Sequence, residues 1–143
     1  MQRDLHSNIL DKPALAPQAV TGTVTGAWID TTVAGGFEGL LFILNWGAVT
    51  TLNSTNFLTP KLQEANDPVA QADAADVAAA DYLNTVAPPA AVNSDVHGTT
   101  SRLGYRGYKR FVRLVLTATL SPSVFASAVA VLSHPKYAPT PGS

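Results

Sequence analysis

Residues 37–46 read Phe37-Glu38-Gly39-Leu40-Leu41-Phe42-Ile43-Leu44-Asn45-Trp46. In an extended chain, alternate side chains point to opposite faces. One face would carry Phe37, Leu41 and Ile43, and the other Leu40, Phe42, Leu44 and Trp46 beside Glu38. Both faces are largely apolar, which predicts a central strand covered on both sides. The unbroken apolar run Leu40–Leu44 is far too short to span a membrane.

Two later stretches have the same texture. Arg110–Leu120 reads as a long strand. After a turn at Ser121-Pro122-Ser123, Val124–Leu132 reads as the last, with Phe125, Val129 and Val131 on one face and small or apolar residues on the other. Upstream, Val20–Ile29 is rich in β-branched residues and broken by glycine, as expected of one or two strands. Thr31–Gly36 is a turn. Phe57–Glu64 alternates loosely, and Pro60 argues for an edge or a bulge. A strand over 102–106 precedes a turn at Gly107-Tyr108.

Asp73–Leu83 differs, being alanine-rich, and predicts a helix of about three turns with Asp73 as its N-cap. The expected fold is therefore mainly β: an antiparallel β-sandwich or open barrel with one short helix in a crossover. Residues 1–20, punctuated at Lys12-Pro13 and Ala16-Pro17, read as an extended N-terminal arm. Residues 21–135 form a single β-rich domain, and 136–143 an irregular tail. Met1–His6 lacks the apolar stretch of a signal peptide.

Composition points to a protein that works through contacts. Only 13% of the 143 residues are charged, about half the usual ~25%. A net charge of −1 leaves little self-repulsion to keep copies apart. Cysteine is absent, which removes disulfides, zinc-thiolate sites and thiol catalysis. His6, His97 and His134 have no metal-ligand spacing, and no nucleophile elbow or phosphate loop occurs. Gly104-Tyr-Arg-Gly107 is not followed by a helix, so it lacks the dipole that a phosphate site needs. No catalytic residue, metal or cofactor is expected.

The strongest pattern is charge segregation. Five of nine basic residues fall between 102 and 113, and five of ten acids between 64 and 81. The basic cluster could bind nucleic acid, the acidic segment of its own chain, or an acidic patch on another subunit. The slightly negative net charge and the lack of a long basic run argue against nucleic acid. The residues expected to meet a partner are Arg3, Leu5, Ile9 and Leu10 in the arm, and Arg102, Tyr105, Arg106, Tyr108, Lys109 and Arg110 in the cluster. Strand alternation puts Arg110 and Arg113 on opposite faces. One arginine should therefore be buried, in a bidentate pair with a carboxylate or carbonyl oxygen.

Several blocks resemble small structural proteins of tailed bacteriophages. They are Trp28-Ile-Asp followed by Gly36-Phe-Glu-Gly-Leu-Leu-Phe; Thr59-Pro-Lys-Leu-Gln-Glu-Ala-Asn-Asp67; the Ala/Asp-rich expected helix through Asp81; Leu103-Gly-Tyr-Arg-Gly-Tyr-Lys-Arg-Phe-Val-Arg-Leu; and His134-Pro with Ala138-Pro139. The resemblance implies a virion component, above all a decoration or cement protein that clamps the major capsid protein and self-associates on the capsid surface. The alternative is a neck or tail component such as a connector or ring protein. A glycan-binding sandwich is a third reading, opposed by the apolar contexts of Trp28 and Trp46, which suggest core positions.

Overall fold

A computed structural model describes residues 5–83, 89–91 and 93–136. The strands are β1 (Ile9–Val20), β2 (Val24–Thr25), β3 (Ile29–Asp30), β4 (Phe37–Thr51), β5 (Phe57–Ala65), β6 (Ala75–Asp76), β7 (Thr100–Tyr105), β8 (Phe111–Thr119) and β9 (Ser123–Pro135). The first sheet has the order β1-β9-β4-β7. The second has the order β2-β8-β5-β6, with β3 also paired to β8. All of these pairings are antiparallel. The two sheets pack as a β-sandwich, as the alternation of the sequence requires.

The core is built by size complementarity along the β4–β9 ladder. Phe42 lies opposite Ala130, Leu44 opposite Ala128 and Trp46 opposite Ala126, and all six are buried. Each large side chain on β4 thus has a small neighbour, which leaves room for the second sheet. From that sheet Leu58 and Leu62 of β5, and Val112, Leu114 and Leu116 of β8, close the core. The Trp46 indole N–H donates to Ser101 Oγ at 2.8 Å, so its one polar atom is satisfied.

The opposite face of β4 departs from expectation. Leu41 and Ile43 are only half-buried, because no third layer among the described residues covers them. The first sheet is one side of a two-layer sandwich, not the middle of three.

The expected arm is extended but not separate. Ile9–Val20 pairs with β9 from Ile9–Ser133 to Val20–Val124. Pro13 and Pro17 are exposed on this edge strand, where a missing N–H does no harm. Register shifts flank Leu15, and Ala14 and Leu15 turn into the core. Here the two sheets are stitched together. The Ala27 N–H donates to Ala14 O at 2.9 Å and the Gly26 N–H to Leu114 O at 2.8 Å. A Cβ on Gly26 would overlap the Ala14 carbonyl oxygen and sit 2.9 Å from that of Leu114. Only glycine fits this crossing.

The predicted helix over 73–83 does not form. The segment holds the two-residue strand β6 and a 3-10 turn at Ala79–Asp81. An isolated helix of this length is marginal in water, and an alanine face buries too little area to rescue it. The segment lies instead along the edge of β5. Val77 is buried and its N–H donates to Leu62 O at 3.0 Å. Tyr82 is buried too, and its hydroxyl accepts the Leu62 N–H at 2.7 Å. These two anchors are five apart, a spacing that suits an irregular ribbon and not one helical face. Asp73 caps a loop instead of a helix. Its carboxylate accepts the N–H groups of Asn66 (2.8 Å) and Asp67 (2.9 Å). Those bonds hold its carboxyl below the usual carboxylate range.

A candidate interaction surface

The Tyr105–Arg110 segment connects β7 to β8 and is fixed from beneath. Tyr105 is 5% exposed, so it is a brace and not the partner contact expected from sequence. Its hydroxyl donates to Glu64 Oε2 at 2.6 Å and accepts the Lys109 N–H at 3.0 Å. Burial, with the adjacent Glu64 carboxylate, pushes the phenol well up, so it stays a donor across the working pH range. The Arg106 N–H donates to Asp81 O at 2.9 Å. The Arg110 N–H donates to Asn66 Oδ1 at 3.1 Å. Gly107 is small because the Tyr105 ring lies against it, where any Cβ would overlap.

A loop held at several points presents Tyr108, which is 100% exposed. Arg106 and Lys109 flank it. With Lys136, Glu38, Thr31 and the start of β4 they line a groove of about 370 Å³. Leu5 and Ile9 line a neighbouring depression, which shares Glu38 and Lys136 with the groove. Two sequence-predicted groups far apart in the chain therefore lie on adjoining depressions at one end of the sandwich. A preset loop with an exposed aromatic and cations at its rim loses little freedom on binding. Its chemistry suits an acidic partner surface with room for a phenol ring.

Other predicted residues fall elsewhere. Leu10 is partly buried and packs against the core, opposite the buried Leu132. Arg102 is exposed on the outer face of β7, opposite Ile43, away from the loop. Arg3 lies outside the described residues. Lys136 and Glu38 escaped sequence reasoning, since neither belongs to a charge run.

The arginine prediction divides between two residues. Arg110 forms the bidentate carboxylate pair, Nε to Asp30 Oδ1 at 3.1 Å and Nη2 to Oδ2 at 2.8 Å, but at the surface. Its guanidinium also lies 4.8 Å from the Phe111 ring centre. Arg113 is the part-buried one. Nε and Nη2 both donate to the Gln63 side-chain carbonyl, at 3.0 and 2.7 Å. Its guanidinium stacks 4.3 Å from the Trp28 ring centre. Trp28 is thus half-buried under a cation, whereas Trp46 is core. The acidic segment does lie beside the basic one, through the β5–β8 pairing. Its charges serve other ends: Asp76 pairs with Lys61 at 2.8 Å, and Asp67 and Asp73 close the 66–73 loop.

The Asp30 pair gives a pH prediction. The Arg110 guanidinium, helped by Thr32, holds the Asp30 carboxyl down at about 2 against the opposing effect of burial. An unfolded aspartate titrates near 3.9. The pair therefore contributes fully above about pH 4, and its contribution is lost as pH falls toward 2. Asp30→Asn should cost about 0.5–1 kcal/mol at neutral pH, the scale of a partly exposed pair. Melts across an acid series should show that difference shrinking to nothing near the bottom of the range. A difference that does not change with pH would refute the assignment.

No family model matches the chain, and no curated protein matches it. Among the described residues no three His, Asp or Glu side chains are grouped to hold a metal ion. No helix there is long and apolar enough to cross a membrane.

Proposed function

We propose that this chain is a non-enzymatic virion structural protein, a decoration protein that binds the major capsid protein and reinforces the assembled shell. The sequence blocks that resemble small phage head proteins support the virion setting. The observation that carries the contact is Tyr108: fully exposed, on a braced loop, among Arg106, Lys109 and Lys136. Tyrosine and arginine are the residues most often found at the energetic centre of interfaces. A cement protein needs such rigid anchors, because its binding energy must survive expansion and heating of the shell.

The test uses expanded shells that lack this protein. Added protein should co-sediment with them and raise their melting temperature. Tyr108→Ala should weaken binding by about 30-fold or more, as expected for an anchor worth about 2 kcal/mol, while leaving the protein's own melt unchanged. Failure of the wild-type protein to bind such shells would sink the reading. Labelled protein confined to the portal or tail end of particles would favour the neck or tail alternative.

A further inference from the structure

The outer faces of the two sheets differ in kind. On the second sheet, Thr59, Lys61 and Gln63 of β5 and Arg113 and Thr117 of β8 make a polar outer surface. On the first sheet the central outward rows are apolar, bounded by a polar Asn45–Ser127 row. Leu41 lies beside Val131, and Ile43 beside Val129. Val129 is 37% exposed and Phe125 47%. Outward positions on β1, β9, β4 and β7 carry just two charges among the described residues, Asp11 and Arg102. They sit on opposite edges of the face: Asp11 on β1 next to Val131, and Arg102 on β7 next to Ile43.

We infer that this face is the contact between two copies of the chain, packed sheet to sheet about a two-fold axis that runs along the strands. Such an axis turns the β1 edge of one copy over the β7 edge of the other. Asp11 of each copy then meets Arg102 of its mate, one side-chain row apart at about 7 Å along the strand, within reach of an arginine. The apolar rows Leu41–Val131 and Ile43–Val129 fall at the centre, and the ion pairs form the rim. An apolar partner surface of another kind has no use for one acid and one base on opposite edges, whereas a second copy matches both. The area suffices: three strands of about nine residues and the six-residue β7, at about 3.4 Å by 4.8 Å per residue, give roughly 540 Å² per copy. Two such faces cover about 1,100 Å², above the ~1,000 Å² threshold of a specific interface. The covered state would also satisfy the two-sided apolar pattern of β4, which one chain leaves half open. The inference goes beyond shell binding and does not depend on it, since the rows that carry it, Leu41–Val131 and Ile43–Val129, do not line the Tyr108 groove.

Sedimentation equilibrium of the full-length chain tests it. The wild type should dimerise with a dissociation constant in the micromolar range or tighter. Ile43→Lys should be monomeric. Arg102→Asp, at an exposed site where folding is not at risk, should weaken the dimer by about tenfold or more. Adding Asp11→Arg to Arg102→Asp should restore it. A wild-type monomer at high concentration would overturn the proposal. So would a dimer indifferent to Arg102→Asp, or one that the double exchange fails to restore, whatever the shell-binding assay shows.

Discussion

Phe42→Ala is expected to remove about 3–5 kcal/mol of stability, the cost of a cavity left by a fully buried aromatic. Ile43→Ala, one residue along the same strand, should cost about 1 kcal/mol in dilute protein, because Ile43 leaves only part of its surface out of water. Phe42 is 0% exposed and has only Ala130 beside it on β9. Its ring fills the space between the sheets, so nothing small can relax into the gap. For a domain whose total stability is typically 5–15 kcal/mol, the first loss is a large share and the second a small one. Urea melts of the two variants measure the contrast directly. Equal losses would mean that both faces of β4 are covered within one chain, against the sandwich described above. Losses that converge only at high protein concentration would instead show Ile43 being buried by a second copy.

Tyr105→Phe is expected to cost about 1.5–3 kcal/mol, at the strong end for a single hydroxyl. The hydroxyl serves two partners at once, the Glu64 carboxylate and the Lys109 N–H. Glu64 is half-buried, so removing its donor leaves a charge with less solvent than it needs. The Lys109 N–H loses its acceptor, and with it the hold on the loop that presents Tyr108. Under the proposed function the variant should bind shells more weakly as well as melt earlier, although Tyr105 itself is buried. Thermal melts and the shell co-sedimentation assay together distinguish this brace from a surface contact. A variant that melts normally would show that the hydroxyl is dispensable to the fold.

The local pattern made much of the strand set legible. Phe37–Trp46, Arg110–Leu120 and Val124–Leu132 each announce themselves by length and apolar content, and they became β4, β8 and β9. The exposed tyrosine and cations of the 106–109 loop were readable as a cluster. Their separation from Tyr105 was not, because its partner Glu64 lies 41 residues away and has no local signature. Val77 and Tyr82 show the same limit: alanine propensity pointed to helix, and two hydrogen bonds to Leu62 decided otherwise.

By itself, then, the sequence determined that the chain is a low-charge, antiparallel β protein with a basic, aromatic loop, since alternation, turn residues and composition act within a few residues of each other. Only the tertiary structure decided which face of β4 is core. Both faces are apolar, and the choice came from Ala126, Ala128 and Ala130, 80 to 88 residues beyond their partners on β4. Their small side chains leave room on one face alone for a second sheet to reach the bulk of Phe42, Leu44 and Trp46. No rule of local periodicity contains that information, because it belongs to a pairing between distant strands.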